Sequence, residues 1–544
     1  MGEPMPRRGH RIDELNGVAR WAVIVAVAGF AVVPFTSAAI ALAQGWQPTG
    51  DVAVIGLRSR DVAGAEIPLL GQTSTAEELT GTPANHPGPI EYWVLAASTA
   101  VAGPRAGMVL GIAAINGLAL AGTVWLAHRR GGVALIGLVA ATTAGLVASL
   151  GSGSLHDPFN PEVATYPMLL AVLATWSVVV GDLRIAPILA AALVVVGQVH
   201  LAGIAIAVPL ALLALVAVLD AARRHRAAVR RDAPSLVAAV GILVVGWLPP
   251  IVHELSSDPS NVAALWEAAT VPRPRIGLSF VGERLATAVA PIPIFLRSTG
   301  RFGFLEEVGP VRVYLAAAIA AAVAALPALV GRGRQRNHPG RLAVVVLVAM
   351  GVVVVSSAGQ PPLSAFRADG TRWLWVFSLA LWVSALWSAW HLLEDDRQAA
   401  ARRWAAPVGT GLAVVVLVTT LATADLADER DGSLMPVTGR VGDALVDELP
   451  PGTYHLRFEG SRALVAVGPG LAYRLEAAGS SVVLDDNVFT RGYGEHRTDG
   501  RSADADLRVS SDGLSAAEPG EELIAESLID PDDPDAGVIR VFRS

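Results

Sequence analysis

The 544-residue sequence predicts a polytopic α-helical membrane protein of about eleven transmembrane helices, closed by a C-terminal extracytoplasmic α/β domain. Three observations predict it. Hydrophobic residues make up 53% of the chain and charged ones only 16%, against about 25% charged in soluble proteins. Long apolar runs recur from residue 18 to residue 423, and the composition changes abruptly after that point.

Crossing about 30 Å of hydrocarbon takes about 17 to 25 apolar residues. The first run, Val18 to Ala43, follows Arg7, Arg8 and Arg11. It is too long, and too poor in a small-residue cleavage signal, for a removed secretory signal, so it is expected to remain as a span. Further spans are expected near Ala106–Ala127, Val133–Leu150, Ala164–Gly181, Ile185–Gln198, Leu201–Leu219, Leu236–Val252, Val311–Val330, Leu342–Ser357, Trp373–Trp390 and Ala406–Thr423.

Excess Arg in short connections stays on the cytoplasmic side. The clusters Arg129/Arg130, Arg223 to Arg231, Arg332 to Arg341 and Arg397/Arg402/Arg403 share the side of the N-terminus only if Pro89–Gly103 does not cross. That stretch, with Glu91, Tyr92 and Trp93, reads as a helix lying in the outer interface. The expected arrangement is a multi-pass protein of the plasma (inner) membrane with a cytoplasmic N-terminus. Four segments then lie outside: Gln44–Arg105, Gly151–Val163, His253–Pro310 and Ala358–Arg372. The C-terminal domain joins them. The domain division is 1–423 for the membrane part, with interfacial helices in 44–105, and 424–544 for the soluble part.

Residues 424–544 hold 24 acids against 11 Arg, a balance that argues against a nucleic-acid partner. After an acidic linker, ADLADERDGS, strand-like TYHLRF, ALVAVG and SVVLD alternate with helix-like VGDALVDEL and PGLAYRLEAAG, and the tail ends on a strand pattern. Cysteine is absent, which excludes disulfides, thiolate metal sites and cysteine nucleophiles. Lysine is absent too, the mark of a coding bias, so a phosphate ligand here must be Arg, His, a metal or backbone.

The first outer segment gathers Asp51, Arg58, Asp61, His86 and Glu91 between two membrane-embedded elements, and loops this long without function are uncommon. Asp51 follows the first span by about eight residues, near the headgroup depth where a lipid-borne substrate presents its reactive carbon; a carboxylate there can take a proton from a hydroxyl. Asp51 equally suits the N-cap of a helix starting at Val52. In the second outer segment, Asp157 and Glu162 suit acceptor orientation or a hard divalent cation, while Asp157, Pro158, Asn160 and Pro161 also suit a plain turn. His200, in GQVHLAG, is an intramembrane ionisable group, with a hydrogen-bonded neutral role beside Gln198 as the alternative. Arg367 and Arg372 before Trp373 suit either a phosphate clamp or headgroup anchoring.

An acid just after the first span, an amphipathic run with Arg, and a Pro-rich entry into a YW pair (HPGPIEYW) together resemble the GT-C glycosyltransferases, aminoarabinose transferase-like enzymes in particular. Asp157 in HDPF is similar to that family's second acidic loop. His200 stands where similar enzymes carry a Lys-Gly pair, and His86 where they often carry a basic residue. The resemblance covers roughly residues 18 to 260; the chain departs from it in having GDVAV in place of an Asp-Glu pair, and in lacking the lysine.

What the resemblance implies is a GT-C-like core and an inverting glycosyltransferase that moves a sugar from a polyprenyl-phosphate donor to an extracytoplasmic acceptor hydroxyl on a glycan or lipid. Asp51 is then the general base, and Arg58, Asp61, His86, Glu91, Asp157, His200 and Arg372 bind substrate. A divalent cation, Mg or Mn, would fall to Asp51 and Asp157. Two other classes fit the same composition: a polytopic transporter of an envelope precursor, and a membrane scaffold for the C-terminal binding domain.

Overall fold

The computed structural model describes residues 17–297, 309–330, 337–362, 369–511 and 516–544. Helix α1 (Gly17–Ala43) leads to α2 (Gly50–Asp61), the single turn α3 (Glu77–Thr80) and α4 (Ile90–Ala102). Then come α5 (Pro104–Leu150), α6 (Asn160–Val179), α7 (Ala186–Val199), α8 (Leu201–Arg224) and α9 (Arg226–Ser256). Two short helices, α10 (Asn261–Thr270) and α11 (Leu278–Val289), precede α12 (Pro310–Val330), α13 (Asn337–Ala358), α14 (Trp373–Trp390) and α15 (Asp395–Ala422).

Among the described residues, nine helices are long and apolar enough to cross a membrane, and the chain is a multi-pass membrane protein. The 47-residue α5 is two arms in one, broken at Gly132, whose φ of 62° and ψ of −149° lie outside the helical region. That break falls between the two apolar runs expected on either side of Arg129 and Arg130. With α5 taken as two arms and the shorter apolar α7 added, the helices match the eleven apolar runs. Helix α6 is buried along nearly its whole length, at the centre of the bundle.

The C-terminal part begins with α16 (Met435–Glu448) and continues through β1 (Thr453–Glu459), α17 (Gly468–Ala477), β2 (Ser481–Leu484), β3 (Ala505–Ser510), β4 (Glu522–Asp530) and β5 (Asp533–Arg543). The sheet order is β2-β1-β3-β5-β4, with β2, β1 and β3 parallel and β5 antiparallel to both β3 and β4. One expectation needs correction, and one strand was not expected. ALVAV is a helical turn, because Ala463, Ala466 and Val467 are buried at the three- and four-residue spacing of a helix. ADLRVS, not singled out in the sequence, is the strand β3; only Leu507 and Val509 supply its alternating apolar face.

This part does not hang free of the bundle. One hydrophobic cluster joins Ala38 and Ala41 of α1, Ile55 and Leu57 of α2, Tyr92 of α4 and Met108 of α5 to Leu471 and Tyr473 of α17. The Tyr473 hydroxyl donates to the Pro104 carbonyl at 2.7 Å, and the Gln44 side-chain amide donates to the Ala424 carbonyl at 2.9 Å. Helix α2, amphipathic in sequence, is therefore sandwiched between α4 and α17.

Candidate functional site

Asp51 is placed by its predecessor. Gly50 has φ +49°, and a side chain there would meet the Val465 carbonyl oxygen at 2.8 Å, so the entry into α2 requires glycine. The helix begins at Gly50 with Thr49 as its N-cap, so Asp51 is not the cap expected for a helix starting at Val52. It lies in the first turn, where a negative charge suits the helix dipole. Its Oδ2 accepts a hydrogen bond from Arg430 Nη2 at 2.7 Å, and its side chain is 47% exposed.

Arg430 also lies over Phe159, its guanidinium carbon 3.5 Å from the ring centroid. One cation thus ties the first outer segment to the second. Beside it, Glu429 Oε1 lies 3.3 Å from His156 Nε2, and His156 Nδ1 lies 3.1 Å from the Ser37 hydroxyl of α1. Arg430 carried one signal in the sequence: it is the single basic residue in the acidic linker ADLADERDGS, directly after the last span.

The expected turn forms in the second segment, where Asp157 Oδ1 accepts from the Phe159 amide at 2.9 Å. Asn160 Nδ2 then donates to Glu91 Oε2 at 3.1 Å and to the Val199 carbonyl at 2.8 Å. Burial, with the nearby Asp157 charge adding to it, raises the Glu91 carboxyl well above its ordinary range. Tyr92 next to it is buried, and its phenol is pushed up for the same reason.

His200 is the N-cap of α8, where its Nδ1 accepts from the Ala202 amide at 3.3 Å. Its ring centroid lies 4.8 Å from that of His86, whose Nδ1 accepts from the Leu201 amide at 3.1 Å. Accepting at Nδ1 puts the proton of each neutral ring on Nε2. Burial and then the neighbouring His200 lower the His86 pKa well below 6.5, so His86 is a neutral donor at physiological pH. Gln198 stitches the same break to the first segment, accepting from the Ile90 amide at 3.2 Å and donating to the Gly246 carbonyl at 2.6 Å.

Asp51, Glu91, Asp157, His86 and His200 are therefore linked in one network through Arg430, Phe159, Asn160 and the 198–201 backbone. The other three expected residues lie elsewhere. Arg58 and Asp61, at the far end of α2, bond each other at 2.6 Å. Asp61 also binds Arg497 at 2.9 Å, and Arg497 reaches Glu476 at 2.6 Å. Their surroundings are the contact with α17 and the 491–497 loop of the C-terminal part rather than the Asp51 network. Arg372 is buried against Glu162, with Nη2 to Oε1 at 2.5 Å, and its guanidinium faces Trp375 at 5.3 Å. It is not an exposed headgroup anchor. Arg367 lies outside the described residues.

Among the described residues, no three or more His, Asp or Glu groups come together as metal ligands. Asp51 and Asp157 each commit one oxygen to a protein donor.

No family model and no curated relative matches the sequence. Solved structures do. ArnT from Cupriavidus metallidurans, in its apo state, superposes with a TM-score of 0.53 at 14% identity, over 97% of this chain and 98% of that one. Archaeal oligosaccharyltransferase AglB from Archaeoglobus fulgidus, solved with an inhibitory peptide and a dolichol-phosphate, is less similar, with a TM-score of 0.39 at 10% identity over 91% of this chain and 70% of that one. The similarity to ArnT runs the length of both chains, and the fold of this protein is GT-C-like.

Proposed function

We propose that this protein is an inverting glycosyltransferase that moves a sugar from a polyprenyl-phosphate donor to a hydroxyl of a glycan or lipid acceptor. In this reading the reaction lies at the membrane face bearing α2, and the Arg distribution supports taking that face as the extracytoplasmic one. The observation that carries the reading is the Asp51–Arg430–Phe159 link. It holds a half-exposed carboxylate just beyond the first span, against the loop containing Asp157, in a chain with the GT-C-like fold.

In this reading Asp51 is the general base. Arg430 fixes one carboxylate oxygen, and Oδ1, which has no hydrogen-bond partner among the described residues, receives the proton of the acceptor hydroxyl. The acceptor oxygen attacks the anomeric carbon, the bond from that carbon to the phosphate oxygen breaks, and the lipid phosphate leaves with the electron pair. Donors aimed at the developing phosphate charge supply the electrostatic half of catalysis. His86 takes that part, offering an imidazole Nε2–H with no need of a positive charge, with the His200 ring beside it.

The reading is tested in cells lacking the gene, by mass spectrometry of envelope glycans and of lipid-linked sugars. One glycan should lose a sugar while the corresponding polyprenyl-phosphate sugar accumulates, both reversed by the wild-type gene. Unchanged glycans and unchanged lipid-linked sugars would rule the transferase out.

A further inference from the structure

At the end of the bundle opposite Asp51 lies a cavity of about 310 Å³, lined by Arg130, His338, Trp387, Trp390, His391 and Arg402. The first arm of α5, 28 residues from Pro104 to Gly131, separates the two ends by about 40 Å at helical rise. The cavity is thus distinct from the network described above. Its volume is at the lower end of the range of ligand pockets, about 300–1,000 Å³.

The lining is cationic and rich in donors, and no acid stands among its described residues. Arg130 has only 8% of its side chain exposed; Arg129 and Arg130 share the single carboxylate of Asp182, at 2.7 and 2.5 Å. Arg130 Nε is buried and, among the described residues, has no hydrogen-bond partner, and the same holds for Trp390 Nε1. Among the described residues, Arg402 donates only to a neutral group, Gln398 Oε1, at 3.3 Å. Gly132 breaks α5 here, so the first turn of its second arm, from Val133, also borders the cavity. A helix start favours anions.

Buried donors without acceptors are costly, and a surplus of positive charge in a low-dielectric setting is costlier. A ligand with several acceptor oxygens and a negative charge relieves both. Trp387 and Trp390 stack with centroids 6.4 Å apart, and indoles of this kind gather at the headgroup level of a bilayer.

We propose that this cavity binds a phosphate group, held by Arg130, Arg402 and the Trp390 indole N–H, and carried by an anionic phospholipid headgroup at the membrane face opposite the proposed active site.

The test uses the full-length protein in detergent, with native mass spectrometry after addition of phosphatidylglycerol or phosphatidylcholine. Phosphatidylglycerol should be retained selectively. Arg402→Gln, at an exposed position, should cut that retention about fivefold, the worth of one Arg near an anionic lipid. Arg403→Gln, the same charge change one residue along and outside the cavity lining, should leave it as in the wild type. A separate arm adds inorganic phosphate alone: displacement of phosphatidylglycerol by millimolar phosphate would retain the phosphate site and assign its source to a soluble ion. Equal retention of the two lipids, or equal effects of the Arg402 and Arg403 variants, would overturn the proposal.

Discussion

Arg430 Nη2 donates to Asp51 Oδ2 at 2.7 Å across 379 residues of sequence, while its guanidinium covers the ring of Phe159. If this contact sets the direction of the carboxylate, Arg430→Gln should lower transfer by about 10- to 100-fold, as loss of a positioning group does. The substitution should leave the acceptor KM less affected than kcat. Arg430→Lys, which keeps charge but loses the flat guanidinium over Phe159, should fall between the two. An unchanged kcat in Arg430→Gln would show that the ion pair has no part in positioning.

The Arg372–Glu162 pair is buried on both sides, at 4% and 0% side-chain exposure. Removing one partner strands a charge, at a cost of about 3–5 kcal/mol. Arg372→Met should therefore lower the thermal midpoint in detergent, and the double variant Glu162→Met with Arg372→Met should restore much of it. Transfer tracked alongside separates the roles: recovery of both stability and activity in the double variant makes Arg372 structural, whereas recovery of stability alone assigns it to the substrate phosphate.

The membrane helices were legible because a bilayer demands long apolar runs, and the α5 break was legible because Arg129 and Arg130 interrupt one. The short helix α4 was legible from its Pro-rich entry into Glu-Tyr-Trp. Asp51, Asp157, His86 and His200 stood out because an ionisable residue near apolar sequence is conspicuous. Their linkage was not visible. It runs through Asn160 and the 198–201 backbone, polar groups whose partners are set by packing rather than by spacing. Arg430 was hidden among acids, where a lone Arg reads as a solvated charge. Arg58 and Asp61 looked like substrate ligands because the Asp61 partner Arg497 lies 436 residues away.

Glu91 holds its proton more tightly in the folded chain than in the unfolded one. Its contribution to stability is full below the unfolded pKa of 4.5 and is lost as pH rises through the raised folded value. Glu91→Gln, which mimics the protonated acid and keeps a carbonyl for Asn160 Nδ2, should fold normally and lose that decline. Thermal midpoints of the two proteins from pH 4 upward check it, and parallel curves would contradict it.

Arg497 is 2% exposed and neutralises both Asp61 and Glu476. Arg497→Met removes the buried cation that the two carboxylates share, leaving Asp61 to Arg58 and Glu476 to Arg60, and should cost at most about 3–5 kcal/mol. The loss should be felt where α17 and the 491–497 loop meet α2, so limited proteolysis should cut between residues 424 and 435 in the variant well before it does so in the wild type. Equal cleavage rates would show that the apolar contact of Leu57 and Tyr473 suffices.

The central claim is that the Asp51 carboxylate takes the acceptor proton. Asp51→Asn keeps the shape and removes the base, and general-base help is worth about 10²- to 10⁴-fold. In cells carrying only that variant, the glycan product measured by mass spectrometry should fall below about 1% of wild type, with the thermal midpoint of the purified protein within a few degrees of normal. Near-normal product from a folded Asp51→Asn protein would contradict the account.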